Sequence, residues 1–300
     1  MELNQSHHLF IQKLLNGRVV DGLDIKSLME GIIECYPSEF DLTEEDTQYS
    51  QIELIFPQFL NKINSHLFSL DLEIRKGLNQ TNGEIFYHLI NLNPDEFSQL
   101  ATNYSALELG YLKNLIESII TSSHLEFSIK MSSALRDVPL HTTSALSQQD
   151  NQVPQSQSAG SNLTKLERQQ LIDRFIQDDW LYTLEGTGLL TVSDRCLNEL
   201  RDKLINEFEE DIWQCKLCMN LVTQGYLCKS PNCNTYYHHP CLDKLLKDIE
   251  DNRTSLSDRG FQVKCLSCHN ELKTKLVGHR DLCQFNQIYL DFNTSSQTLN

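Results

Sequence analysis

No run of about eighteen consecutive apolar residues occurs in the 300-residue chain, so no stretch is long and apolar enough to cross a bilayer as a helix. The opening segment, MELNQSHHLF, lacks the basic region and apolar stretch of a secretory leader. Secretion is therefore not expected, and triplets such as Asn103-Tyr104-Ser105 read as chance matches to the glycosylation pattern. Positive charge is scarce as well: 25 Lys and Arg stand against 41 Asp and Glu, for a net charge of -16. The first 210 residues carry -17 of it, residues 211–272 hold seven basic and seven acidic groups, and residues 273–300 carry +1. Grip on a phosphate backbone needs clustered Lys and Arg. The balance argues against DNA contact by this chain alone and favours protein partners.

What is abundant is cysteine at metal-ligand spacing. Seven of the ten cysteines lie between residues 215 and 268. The pattern is Cys215-x2-Cys218, nine residues, Cys228-x4-Cys233, four residues, His238-x2-Cys241, twenty-three residues, Cys265-x2-Cys268. Structural zinc takes four thiolate or imidazole donors in a closed tetrahedron, so eight ligands make two sites. Thiols clustered this way, with no leader, fit a reducing compartment such as cytosol or nucleus better than a disulfide framework. The spacing leaves two arrangements open: ligand pairs used in sequence, or interleaved. His238 gives the His-x2-Cys knuckle, with His239 as the fallback. A span of fifty-four residues is too short for a self-sufficient core, so metal is expected to supply most of its folding energy. His279, Cys283, Cys35 and Cys196 are read as bystanders.

Hydrophobic periodicity organises the remainder. Apolar spacing predicts helices over residues 7–16 and from Asp24, where Ile25, Leu28, Met29, Ile32 and Ile33 form one face. An acidic loop is expected over residues 39–46, and a third helix over residues 49–67 with a kink or split at Pro57. The period then changes to two over residues 70–75 and 85–92 around a turn at residues 79–83, which predicts a hairpin. Three helices and a hairpin follow winged-helix order, and the third helix, with one lysine and one glutamate, reads as a protein-docking surface rather than a DNA reader. Further helices are predicted over residues 107–120 and, more briefly, 129–135. Residues 141–162, rich in Ser, Gln, Asn and Thr, read as a flexible insertion. Thr164 and Glu167 have capping-box spacing. A helix with Leu171, Ile172, Phe175 and Ile176 follows, then a hairpin about residues 180–192. A helix capped by Ser193 or Asp194 carries Leu197, Leu200, Leu204 and Phe208 almost directly into Cys215. The expected architecture is mainly α with small β hairpins: winged-helix-like domains over residues 1–95 and 96–210, a zinc finger over residues 211–276, and a tail over residues 277–300.

The ligand order of four Cys, one His and three Cys is similar to the RING and PHD families, which implies interleaving in a cross-brace. Cys215, Cys218, His238 and Cys241 would then hold one zinc, and Cys228, Cys233, Cys265 and Cys268 the other. Residues 180–182 (Trp-Leu-Tyr), 186–188 (Gly-Thr-Gly), 213–218 (Trp-Gln-Cys-Lys-Leu-Cys), 224–228 (Gln-Gly-Tyr-Leu-Cys) and 237–241 (Tyr-His-His-Pro-Cys), with the helix over residues 193–210, carry a more specific likeness. In them the chain resembles the family of the non-SMC element one subunit of the SMC five–six complex. That resemblance implies a nuclear, chromosome-bound subunit in DNA repair and recombination, with a MAGE-type winged-helix partner and a kleisin-type partner.

It also implies a RING-type ubiquitin ligase, which positions a ubiquitin-charged conjugating enzyme rather than reacting itself. Docking would use Leu217 in the first knuckle and Leu245, Leu246 or Ile249 in the helix after the sixth ligand. Two positions depart from active RINGs. The last knuckle reads Cys265-Leu-Ser-Cys268 without a proline, and His269 stands where an arginine clamps ubiquitin, with fewer fixed donors. Activity that is weak or partner-dependent follows. The alternatives are a non-catalytic scaffold subunit and a PHD-like histone reader, for which Val263 and Phe261 offer little aromatic cage.

Overall fold

The computed structural model describes residues 2–17, 19–40, 48–92, 104–122, 125–140, 163–184, 186–251 and 263–278. The acidic loop (but for Glu39 and Phe40), the insertion, Phe261, His279 and Cys283 lie outside the described residues. The chain forms two compact units, Met1–Pro94 and Asp95–Asn300. Among the described residues, no helix is long and apolar enough to cross a membrane.

The first unit runs α1 (Gln5–Gly17), β1 (Val19–Asp21), α2 (Gly22–Cys35), α3 (Gln48–Leu67), β2 (Leu72–Leu78) and β3 (Ile85–Asn91). The strands form an antiparallel sheet in the order β1-β3-β2. Strand β1 is too short to show as alternation in the sequence, and it moves the expected helix cap. The chain leaves the strand directly into α2, so Asp21, not Asp24, is the cap, and its carboxylate accepts from the Asp24 N–H at 2.8 Å. Helix α3 passes through Pro57 as one element. Asn64 fastens it to the sheet by donating to Ile74 O at 3.0 Å and accepting from Ile74 N at 2.8 Å. The hairpin starts later than alternation predicts: Leu70 belongs to a 3-10 turn and is 66% exposed, and Asp71 takes a left-handed conformation before β2 begins. Within the ladder Gly77 pairs with Phe86, whose ring lies where a Cβ on Gly77 would stand. Phe10, Leu14, Met29, Ile32, Phe59, Ile63 and Ile74 fill the core between helices and sheet.

The second unit begins with α4 (Ala106–Ile120), closed by a capping box between Ser105 and Glu108. Strand β4 (Ile129–Lys130) and helix α5 (Met131–Arg136) follow, where periodicity predicts a single helix. Helix α6 (Lys165–Gln177) opens with the expected Thr164–Glu167 box, and β5 (Leu181–Leu184) and β6 (Leu189–Val192) complete a sheet in the order β4-β6-β5. Arg174 ties α6 to α4, pairing with Glu108 at 2.8 Å and lying 4.7 Å over the Tyr104 ring. The single helix expected after Ser193 is two, α7 (Asp194–Glu199) and α8 (Arg201–Glu207), broken at Leu200. The break lets Leu197, Leu200 and Leu204 all reach one core, each at most 4% exposed. The described residues 213–251 and 263–277 then form the finger: β7 (Trp213–Gln214), β8 (Leu221–Val222), β9 (Gly225–Cys228), β10 (Tyr236–Tyr237), α9 (His239–Asp251) and β11 (Thr274–Val277). Strands β10-β9-β11 make its sheet and β7-β8 a separate ribbon.

His7 marks how the first unit responds to acid. Its ring stacks on Phe59 at 4.4 Å and is 5% exposed. Burial, helped by the Lys62 charge, lowers its pKa from 6.5 to about 4, with Glu39 acting the other way. The folded value lies below the unfolded one, so this stabilisation is complete above pH 6.5 and drains away as pH falls towards 4. Amide-exchange protection of α1 in the full chain should fall between pH 7 and 5. In H7F, which keeps an aromatic ring against Phe59, that fall should be shallower; equal slopes would remove His7 as the cause.

Candidate metal centre

Two loops of the finger share one backbone design. In the first, Cys215 N donates to Asn220 O at 2.8 Å, Met219 N donates to Cys215 O at 2.9 Å, and Met219 is left-handed. In the last, Cys265 N donates to Asn270 O at 2.9 Å, His269 N donates to Cys265 O at 3.0 Å, and His269 is left-handed. Each is a tight knuckle that turns two thiols in one direction. The sequence carries the signal twice, as Cys-Lys-Leu-Cys-Met-Asn and Cys-Leu-Ser-Cys-His-Asn, but ligand spacing alone passes over the shared asparagine.

The structure brings the eight ligands together in two sets. Cys215, Cys218, His238 and Cys241 form one, Cys228, Cys233, Cys265 and Cys268 the other, and within each set the donor atoms lie within 4.8 Å of one another. The sets interleave along the chain. In the first, His238 Nδ1 is 3.2 Å from Cys218 Sγ and 3.8 Å from Cys241 Sγ. Its Nε2 sits 2.9 Å from Leu221 O, a second contact that fixes the ring and leaves Nδ1 as the inward donor. The neighbouring His239 is turned elsewhere, edge-on to Tyr226 at 4.4 Å, so the structure selects His238. In the second set Cys228 Sγ is 3.9 Å from Cys268 Sγ, and Cys233 Sγ is 3.8 Å from Cys265 Sγ. The Tyr237 hydroxyl reaches Cys265 Sγ at 3.4 Å. All nine described cysteines are free thiols; Cys35 is exposed and Cys196 buried, apart from both sets.

Donors this close cannot all lose their protons unless a counter-charge lies among them. Burial opposes a charged imidazole at His238, yet hydrogen bonds and charge from Cys215 and Cys218 prevail and raise it to about 10. Hydrogen bonds with Cys218 and Cys241 draw the Cys215 thiol far down. In the second set burial pushes Cys228 up to about 11, while at Cys265 it is outweighed by the Tyr237 hydroxyl and by the Cys268 and Ser267 backbone, which leave that thiol at about 6. Such proton sharing suits replacement by a divalent cation. Three sulfurs with one nitrogen, and four sulfurs, are the donor sets of structural zinc, and the residues fit it.

The apolar residues around the knuckles separate into two kinds. Leu217, Met219 and Leu266 are 38%, 49% and 40% exposed. The Tyr236–Tyr237 strand joins their loops: Lys216 N donates to Tyr236 O at 2.9 Å, and Leu266 N to the Tyr237 hydroxyl at 3.1 Å. On α9, Leu245 and Ile249 are half-buried. Leu246 is 8% exposed and packs with Tyr237, Leu242 and the second cysteine set, so it supports the finger from inside rather than facing a partner. Val263 is half-buried and its carbonyl accepts from Leu272 N at 2.7 Å.

Comparison with known proteins agrees with this geometry. The family model described as "Nse1 non-SMC component of SMC5-6 complex" matches residues 7–200, and one described as "RING-like domain" matches residues 215–253. The human "Non-structural maintenance of chromosomes element 1 homolog" is 27% identical over 247 residues, 82% of this chain and 80% of the relative. The Schizosaccharomyces pombe "Non-structural maintenance of chromosomes element 1" is 26% identical over 178 residues, 59% and 68% of the two chains. A solved chain from an "Nse1-Nse3-Nse4 complex" has a similar fold, with TM-score 0.63 and 22% identity over 91% of this chain and 98% of its own.

Metal analysis of purified variants checks the ligand assignment. H238A should lose about half of the bound metal, whereas H239A should keep all of it. The reverse result would return the ligand role to His239.

Proposed function

Because the chain belongs to the Nse1 family of non-SMC components of the SMC5-6 complex, we propose that it is the RING-like subunit of such an assembly and serves there as a ubiquitin ligase. Two Zn2+ ions, one in each donor set, hold the finger. It binds a ubiquitin-charged conjugating enzyme and restrains its thioester, catalysis by positioning alone. The observation that carries the reading is the exposed apolar trio on the two knuckles, Leu217, Met219 and Leu266, whose loops the Tyr236–Tyr237 strand ties together. A small, fixed apolar patch beside a buried metal suits a transient partner. Leu245 and Ile249 of α9 extend the docking surface.

The partners in this reading are a MAGE-type winged-helix subunit and a kleisin-type subunit, and the place of action is the chromosome in the nucleus, in DNA repair and recombination. The solved Nse1-Nse3-Nse4 complex supports a three-subunit arrangement. Each unit's helices and antiparallel hairpin are read as a winged helix used for protein docking; an acidic body favours that over DNA.

A second reading, a scaffold without ligase activity, is favoured by one feature. His269 occupies the left-handed turn position of its knuckle, where it lacks the forked donors an arginine would bring to ubiquitin. Chain formation by the complex reconstituted with its MAGE-type partner separates the two. L217A should slow chain formation roughly tenfold, the effect of losing about 1.4 kcal/mol at a docking residue, with metal content unchanged. Activity untouched by L217A would break the docking argument, and no activity with any conjugating enzyme tried would leave the scaffold.

A further inference from the structure

The two donor sets are packed into different parts of the second unit. The second set, Cys228, Cys233 and Cys265 with half-buried Cys268, is surrounded by Tyr226, Tyr237, Leu242, Leu245, Leu246, Val263 and Leu272, all of them finger residues. The first set is not enclosed in that way. Cys215, with half-buried Cys218 and Cys241, shares its apolar cluster with Leu125 and Phe127, which precede β4 in the part of the second unit that comes before the finger, α4 to α8 with strands β4–β6, here the helix–hairpin module.

The segment 125–128 is built as a latch. Leu125 and Phe127 are 6% and 3% exposed, and both adopt positive φ, 74° and 46°, a conformation that side chains of this size rarely take. Such a backbone persists only where its surroundings hold it. Here they hold it from two sides. On the module side the Thr191 hydroxyl of β6 donates to Phe127 O at 2.7 Å, and the chain continues into β4, which pairs with β6. On the finger side Gly278 N donates to Leu125 O at 2.7 Å, just after β11. Phe127 meets the Trp213 ring edge-on at 6.3 Å, and Trp213 stacks on Tyr236 at 4.5 Å. Tyr236 is in turn bridged to Cys215 itself. Gln224, in the β8–β9 turn, adds a side-chain hydrogen bond to the Tyr182 hydroxyl of β5.

We propose that the two zinc sites have separate duties: the first locks the finger to the helix–hairpin module through the Leu125–Ser128 latch, and the second shapes the finger alone. Release of metal from the first site withdraws the support under Trp213, Tyr236 and Phe127. The strained latch then relaxes, and β4 loosens with it. Release from the second site opens α9 and the last knuckle, while the end of β11, where Val277 packs in the first cluster and Gly278 holds Leu125 O, stays in place and the latch stays closed. The finger's state is thereby transmitted to the module by one site only, which makes that site the place where loss of metal would be sensed by the rest of the subunit. This inference rests on the zinc reading above.

Hydrogen exchange of the full chain, with metal content measured on the same samples, decides it. C218S should lose slow exchange both in the first knuckle and in residues 125–130. C268S should lose it around the last knuckle and keep it in residues 125–130. F127A should keep its metal yet lose protection in residues 125–130 and 213–214. Equal behaviour of residues 125–130 in C218S and C268S would overturn the division of duties, as would an F127A protein whose finger and module exchange like wild type. A wild-type chain that carries no metal would instead overturn the zinc reading, a result distinguishable from either.

Discussion

Four proton-binding donors within 4.8 Å of one another form an arrangement that a chain adopts at a cost unless a cation is shared among them. The finger does this twice, with few residues in which to absorb the cost. Each donor set is the middle of an apolar cluster rather than a decoration on its rim: Cys215 lies among Val222, Tyr236 and Val277, and Cys265 among Tyr237, Leu242 and Leu246. Burial strips water from the thiols and raises the demand for a counter-charge, which a cation seated there would supply from within the core. The short strands of the finger, several only two residues long, have too little ladder to hold themselves together.

What the amino-acid order reveals follows from how local the determining physics is. The donor residues were legible because a tight knuckle dictates Cys-x2-Cys within four residues, and the preference for His238 came from the same spacing; their division into two interleaved sets was not in the spacing and came from the likeness to RING and PHD fingers. Capping boxes at Ser105 and Thr164 are equally local; the second was readable for that reason, and the first, of the same spacing, went unread. Strand β1 was not readable: three residues cannot display alternation, and it exists because β3 offers an edge. The split at Leu200 was hidden too, since the heptad-like spacing of Leu197, Leu200 and Leu204 is satisfied by one helix as well as by two, and only the shape of the core tells them apart. Leu246 looked equivalent to Leu245 and Ile249, but the direction of each side chain depends on where α9 lies against Tyr237.

The latch at Leu125 and Phe127 is the limiting case. Nothing in those residue types announces a left-handed backbone, and propensity argues against it. The conformation belongs to tertiary structure, held by Thr191 from one side and Gly278 from the other. Gly278 is itself legible only afterwards: its positive φ and the close approach of Thr223 O leave no room for a Cβ. The family likeness spans both parts of the unit, with one family model ending at residue 200 and the other starting at 215. Within the second unit that border is crossed by hydrogen bonds and stacked rings rather than by a tether.

The paired knuckles have a consequence for how such a surface can change over time. In both, the ring of backbone hydrogen bonds runs through the first cysteine, the left-handed residue and the following asparagine. The two intervening residues, Lys216-Leu217 and Leu266-Ser267, supply side chains without supplying that ring. Mutation can therefore redraw what the tips present while the chassis beneath them, ligands included, stays as it was. A lineage that exchanged leucine for serine at one tip would trade one acquaintance for another and still inherit a folded finger.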